Sequence, residues 1–356
     1  MPNPRAVCIG EGLVVLVARD VGPLEDAAVF DRFAGGAETN VAGVLVRLDV
    51  DSAWASRVGD DGFGRYLVRS VAERGIDVSA VGIDPDHRTG MYVKERGGTT
   101  GLPTDLGARN SRMHYYRQDS AASRMDEQFL AEQALRALLD AADLVHVTGI
   151  TPALSPSATA MTLALSRRPR TGLVGFDVNF RPALWGARAG QAPDILEEIA
   201  HNADVVLLGA DEALAVWGIE DADRIRARFG EPRHLVVKNG GGAVTVFDGM
   251  DRYDIDALRV DVVEQIGAGD AFAGGYLAGL LHGLPVIERT RLAHLSAAAV
   301  LTSHADFQPI ESSDLLRRAL ACGDDEWSSL RIGVDGVPAA LTARFGSQQG
   351  AGVSTG

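Results

Sequence analysis

The chain has 356 residues, 46% hydrophobic and 23% charged, enough for a large core in one big α/β domain or two smaller ones. With 34 basic against 48 acidic side chains the net charge is −14, a field that repels polyanions; no local basic patch offsets it, so nucleic acid is not expected as a partner. Two cysteines, Cys8 and Cys322, exclude a disulfide framework or a cysteine-built zinc site.

Short β-rich runs alternate with helical patterns along most of the chain, which predicts a mostly parallel sheet covered by helices on both faces. In chain order the strands are expected at Ala6–Ile9, Ala53–Val58, Leu144–Thr148, Gly172–Asp177, Val205–Leu208, His234–Lys238 and Ala243–Phe247. Several are continuous apolar runs, as strands buried on both faces should be. The helices are expected at Asn40–Leu48, Phe63–Arg74, Gln128–Ala141, Ser155–Leu165, Asp194–Ala200, Asp211–Trp217, Ala268–Leu281 and Val286–Thr302. Two regions break the rhythm: Leu13–Phe33, and Gly90–Lys94 with Arg112–Arg117, read as strands with no helix of useful length between them. They suit a small second sheet lying over the main one, fed by about residues 12–34, 89–96 and 110–118. The glycine-rich piece Glu95–Arg109 is expected as a mobile loop.

The organisation expected is one α/β domain over residues 1–325 and a C-terminal extension over 326–356, disordered from about 346 because it is rich in Gly, Ser and Gln. Residues 1–5 carry no basic head before a signal-length apolar run. The uncharged stretch Ala271–Ile287 is broken by paired glycines, His282 and Pro285 and falls short of a membrane span. A cytoplasmic chain with no membrane partner is therefore expected.

The strongest chemical signal is Gly267-Ala268-Gly269-Asp270 at the start of a helix. Such a start presents N–H groups with no intrahelical partner, and the helix dipole adds positive potential, so phosphate is its natural ligand. By itself Asp270 reads equally well as a favourable first-turn acid. Neither a Walker A string nor a complete Rossmann fingerprint occurs, since Ile9 is followed only by Gly10-Glu11-Gly12. A second signal is Gly35-Gly36-Ala37-Glu38-Thr39-Asn40, which ends an extended segment and opens a helix. Paired glycines let the backbone approach a ligand, with Glu38 and Asn40 as candidates for sugar hydroxyls; the alternative is an ordinary loop with Thr39 or Asn40 as cap. Further candidates are Tyr115-Tyr116-Arg117, Asp177-x-Asn179-x-Arg181 at a strand end, and Asp211-Glu212 just past another. Arginine suits a carboxylate or phosphate because its fork donates two parallel hydrogen bonds, although a lone arginine is more often a solvated charge. No H-E-x-x-H or G-x-S-x-G occurs, so a zinc hydrolase and a serine esterase are poorly supported.

Taken in order, Gly35-Gly36, Val58-Gly-Asp-Asp-Gly-Phe-Gly64, Asp177-x-Asn179-x-Arg181 and Gly267-Ala-Gly-Asp270 resemble the ribokinase-like (PfkB) carbohydrate kinases, over about residues 6–310. The resemblance implies an α/β domain with a small β-sheet lid, ATP with Mg²⁺, and phosphoryl transfer to a sugar hydroxyl. It makes Asp270 the base and gives the N–H groups of Gly267, Ala268 and Gly269 to the transferring group. It implies nucleotide contacts at Asn179, Arg181, Lys238, Asn239, Gly240, Gly242 and His294, and a water-mediated magnesium contact at Glu212. Two departures stand out: Gly209 replaces the usual Asn before Glu212, and Glu264-Gln265-Ile266 replaces a common Asp-Thr-Thr.

Within the family the details most resemble kinases of 2-keto-3-deoxygluconate, an acid sugar whose carboxylate calls for cations. Arg117 and Arg181 are expected to converge on it, with Tyr92, Tyr115, Tyr116 and Asp306 beside the substrate and Gly35 to Asn40 lining it. Other sugar kinases, for fructose or ribose, are the alternative, and a non-catalytic sugar-binding sensor on the same fold is a further one. The resemblance also suggests a homodimer or higher homo-oligomer through the lid.

Overall fold

The computed structural model describes residues 2–108, 110–263, 265–302 and 320–333. Asp306, Glu264 and the tail from 346 lie outside the described residues.

The fifteen described strands are β1 (Arg5–Ile9), β2 (Leu13–Ala18), β3 (Phe30–Gly35), β4 (Asp51–Gly59), β5 (Val81–Asp84), β6 (Met91–Arg96), β7 (Ser111–Tyr116), β8 (Leu144–Thr148), β9 (Leu173–Asp177), β10 (Val205–Gly209), β11 (His234–Lys238), β12 (Val244–Asp248), β13 (Asp251–Ile255), β14 (Arg259–Val260) and β15 (Arg331–Ile332). Nine form the main sheet in the order β13-β12-β11-β10-β9-β8-β1-β4-β5. It is parallel from β5 to β11, and only β12 and β13 run antiparallel. Four others form a separate sheet, β3-β2-β6-β7. The α/β architecture with its small second sheet is as the sequence predicts.

Helices cover both faces: α1 (Ala37–Arg47), α2 (Gly62–Ala72), α3 (Gln133–Ala141), α4 (Ile150–Ala153), α5 (Pro156–Arg167), α6 (Pro182–Trp185), α7 (Ala192–His201), α8 (Ala210–Trp217), α9 (Ala222–Arg228), α10 (Ala268–Leu281) and α11 (Val286–Leu301). Successive strand residues point to opposite faces, and β10 shows the division. Val206 and Leu208 join a core with α3, α5 and α7, through Leu139, Met161 and Leu196. Val205 and Leu207 join the opposite core with α1 and α10, through Val41, Leu45 and Tyr276.

α10 is buried between α1 and α11, and small residues let it sit that close. A Cβ on Gly274 would lie 2.7 Å from the Cβ of Val44, and one on Gly275 would lie 2.5 Å from the Oγ of Ser296. The helix therefore cannot rotate or slide without a clash, and that fixes where its N-terminus points.

Three features depart from the sequence expectation. The segment after β6 has internal structure that the sequence did not suggest: Asp105 accepts hydrogen bonds from the backbone of Gly98, Thr100 and Gly107. The first helix begins at Ala37, three residues before Asn40. Residues 324–333 cross the expected boundary at 325 and dock on α11. There Trp327 and Leu330 pack with Leu292, Leu295 and Ala298, and β15 pairs with β14.

Candidate active site

Strands β8 to β11 are parallel neighbours, so their C-terminal ends gather at one edge. Thr148 stands opposite Asp177 in the register, and Gly209 opposite Lys238. The Lys238 Nζ lies 3.1 and 3.0 Å from the two carboxylate oxygens of Asp177, with both side chains largely buried. Burial lowers the lysine's proton affinity, but Asp177 and Glu212 outweigh it and hold the ammonium above its ordinary range. This lysine stays charged.

Gly267 caps α10 with φ +81°, a left-handed conformation that glycine adopts without strain. No side chain caps this fourteen-residue helix. In its first turn Ala268 and Ala271 donate to Gln265 and Gly267. A Cβ on Gly269 would meet nothing within 4 Å, so the backbone here is open to a ligand.

Asp270 projects from that turn. Its Oδ2 accepts from the Asn40 Nδ2 at 2.9 Å, and its Oδ1 from the Asn179 Nδ2 at 3.4 Å. Burial pushes its carboxyl up to about 6, partly offset by the hydrogen bond from Asn40. Asn179 is buried and held at φ +37°, a strained position for a residue with a side chain. Its Oδ1 and that of Asn40 are buried without a hydrogen-bond partner among the described residues. Two unmet acceptors flanking one carboxylate suit a ligand bearing hydroxyl groups.

Glu212 sits in the first turn of α8, where its Oε2 accepts from the Gly209 N–H at 2.8 Å and its Oε1 from the Phe180 N–H at 3.0 Å. Burial raises its proton affinity. Arg181 approaches the same Oε1 at 3.4 Å and is otherwise exposed. Asn239 to Gly242 form an exposed turn closed by a 2.8 Å bond from the Gly242 N–H to the Asn239 carbonyl.

Other sequence candidates are placed differently. Glu38 and Thr39 are fully buried. The Glu38 Oε1 accepts from the Thr148 N–H, the Thr148 hydroxyl and the Thr151 hydroxyl at 3.1, 2.7 and 2.9 Å. Thr39 donates to the Gly36 carbonyl. Because the helix starts at Ala37, Glu38 is turned toward β8 and α4, and it has no surface from which to meet a sugar. His294 is also inside the fold. Its ring stands edge-on to Phe272 at 5.3 Å and 6.3 Å from Trp327, and burial lowers its pKa to about 4.

On the second sheet Tyr92 pairs with Tyr115 across β6 and β7, ring centroids 5.3 Å apart. Tyr92 is buried beside Leu13 and Val15, whereas Tyr115 and Tyr116 are exposed. Arg117 lies 5.7 Å from the Tyr115 ring, one residue past the end of β7 rather than within a strand. Its guanidinium pairs with Glu11, a buried residue that sequence reasoning passed over. The two arginines expected to form an open clamp thus each hold a carboxylate of this chain, Arg117 that of Glu11 and Arg181 that of Glu212.

A model of the pfkB family carbohydrate kinases matches residues 3–312. The chain belongs to this family. It is 35% identical over 318 residues to the 2-dehydro-3-deoxygluconokinase of Thermoproteus tenax, covering 87% of this chain and 94% of the relative. It is also 31% identical over 333 residues to a fructokinase of Klebsiella pneumoniae, covering 89% and 100%. Among solved structures, a PfkB protein from Polaromonas sp. JS666 superposes with a TM-score of 0.73 at 33% identity, covering 84% of this chain and 96% of the other. In this carbohydrate kinase Asp270, in the first turn of α10, thus stands between two asparagines.

Proposed function

We propose that this kinase transfers the γ-phosphoryl group of ATP to the terminal hydroxyl of 2-keto-3-deoxygluconate, giving 2-keto-3-deoxy-6-phosphogluconate and ADP. The observation that carries the reading is Asp270, a carboxylate with a raised pKa at an open helix N-terminus, held by Asn40 and Asn179.

In this reading Asp270 accepts the proton of the attacking hydroxyl as the sugar oxygen bonds to phosphorus and the bond to the ADP oxygen breaks. A pKa near 6 leaves it ionised at neutral pH while making it a better proton acceptor than an ordinary aspartate. The N–H groups of Gly267 and Gly269 stabilise charge on the transferring group, and that of Ala268 does so by leaving its long 3.4 Å bond to the Gln265 carbonyl. Asn179, Arg181, Lys238 and the turn Asn239, Gly240 and Gly242 stand on the nucleotide side. Gly35, Gly36, Asn40, Tyr92, Tyr115, Tyr116 and Arg117 stand on the sugar side.

Magnesium fits as an ion carried mainly by ATP phosphates, the usual mode for this metal. Glu212 offers one carboxylate, whose oxygens already accept from Gly209 and Phe180, which favours contact through water. Bound there, the ion would neutralise phosphate charge.

The relative from T. tenax supports the acid sugar. A second reading, a neutral keto sugar such as fructose, is favoured by one observation: both arginines already pair with carboxylates, so neither of them waits unneutralised for an acid substrate. A coupled ADP-release assay with Mg²⁺ and ATP decides between them. Turnover of 2-keto-3-deoxygluconate or its galactonate epimer, with fructose and ribose silent, supports the first reading. Turnover on fructose alone replaces it with the second, and silence on every sugar favours a binding protein.

A further inference from the structure

The second sheet is joined to the main domain by four chain crossings, and one residue, Glu11, lies in the first and meets the other three. The chain enters β2 through Gly10-Glu11-Gly12, leaves β3 through Gly36, enters β6 through Gly90 and leaves β7 through Arg117. The Glu11 side chain is fully buried. A Cβ on Gly36 would fall 2.5 Å from the Glu11 carbonyl oxygen, and one on Gly90 would fall 2.6 Å from its Oε1. Oε1 accepts from the Ser120 hydroxyl at 2.5 Å, and Oε2 pairs with Arg117. Two crossings are therefore packed against Glu11 without room for a side chain, and the fourth is bound to it by charge.

The arrangement leaves Arg117 incompletely satisfied. Its Nε is buried and has no hydrogen-bond partner among the described residues, although a guanidinium carries five donors in a fixed fork. A buried donor without an acceptor is unfavourable. An acceptor atom on a ligand would complete the set, and the exposed Tyr115 ring beside the guanidinium, backed by Tyr92, offers a surface for one.

We propose that Glu11 is a positioning residue: it pins the root of the small sheet and fixes where Arg117 stands, and through Arg117 it sets the affinity for the acceptor sugar. This rests on the reading that Arg117 belongs to the acceptor side of the site. Glu11 itself touches no substrate, and its effect passes through the arginine it holds. A buried carboxylate that merely stabilised the fold would have no reason to act on one substrate more than the other.

The test is steady-state kinetics of the full chain with whichever acceptor the wild type turns over, comparing Glu11→Gln, Arg117→Ala, the double variant and Ser120→Ala. Glu11→Gln should raise KM for the acceptor at least tenfold and leave KM for ATP within twofold. The double variant should match Arg117→Ala alone within twofold, because the two side chains act as one unit. Ser120→Ala, which removes a single hydroxyl from the cluster, should raise the acceptor KM about threefold; it carries the test if Glu11→Gln does not fold. Equal changes in both KM values, effects that multiply in the double variant, or an unaltered acceptor KM in Ser120→Ala would each overturn the proposal. A neutral acceptor for the wild type would displace the acid-sugar reading and leave this test intact. An unchanged acceptor KM in Arg117→Ala would remove its premise.

Discussion

Asp270 is subject to opposing influences. Its surroundings and the nearby Asp177 favour the neutral acid, while Asn40, Arg181 and Lys238 favour the carboxylate. With a pKa of about 6, kcat/KM should fall about tenfold per pH unit below that value, as a required base becomes protonated. Removing the donor in Asn40→Ala weakens the ionised form, so the acid limb of the profile should move upward, by up to about one pH unit. A limb that stays in place would mean another group limits the rate. Asp270→Asn should lower kcat by about 10²- to 10⁴-fold with acceptor binding largely kept; near-normal turnover would remove it as the base. At this scale the sequence was legible where local geometry announces itself, as in the helix start from Gly267 to Asp270. It misled at Glu38, which follows a glycine pair but is turned inward by the helix, and it was silent about Glu11. That residue's partner lies just past a strand distant in sequence, and no local pattern announces such a pairing.

The first turn of α1 shows how an element can hold a group at a cost in stability. Glu38 is fully buried, one of its oxygens has no partner among the described residues, and burial raises its pKa to about 7. Because the folded-state value lies above the unfolded one, the stability this group contributes is complete below about pH 4.5 and is lost as pH rises through 7. Glu38→Gln does not ionise. Its stability relative to the wild type should therefore improve between pH 5 and pH 8, by up to about 3 kcal/mol. Urea unfolding at the two pH values measures this, and a pH-independent difference would show that Glu38 does not titrate in the fold. The long apolar elements were readable from the sequence, α10 to the residue. β13, Asp251–Ile255, was not, since three of its five residues are charged and it forms an edge of the sheet. α9 was missed for a similar reason: only Ile225 of its seven residues is buried.

Across the whole molecule the two ends of the sheet do different work. The C-terminal edge carries Asp177, Lys238 and the N-terminus of α10. The opposite end is closed by Arg289, buried on α11, whose Nη2 bonds Asp248 at 2.9 Å and His234 at 3.2 Å while its Nε meets the Tyr276 hydroxyl at 3.2 Å. His234 begins β11 and Lys238 ends it, so the network is a strand's length from the proposed site. Arg289→Met should lower stability by roughly 2 kcal/mol, because it leaves the Tyr276 hydroxyl and His234 without their donor and Asp248 with only the exposed Arg233 for a cation. Both KM values should stay within twofold; a selective rise in one would mean that the far end of the sheet adjusts the site. The arrangement into one large and one small sheet followed from the alternation of apolar runs. The way the four crossings meet at Glu11 did not, because it depends on packing among segments far apart in sequence.

The pairing of both arginines with carboxylates bears on how substrates arrive. A chain of net charge −14 repels anions at long range, and cations already neutralised by neighbours exert little pull of their own beyond a few ångströms. Dissolved ions screen that repulsion over a Debye length of about 8 Å at physiological ionic strength, while buried pairs are screened much less. For an anionic acceptor, kcat/KM should therefore rise as salt is increased from a few millimolar, the reverse of what an exposed cationic funnel would give. For a neutral acceptor it should stay flat. The sign of that salt dependence reports the charge of the molecule this enzyme takes from solution.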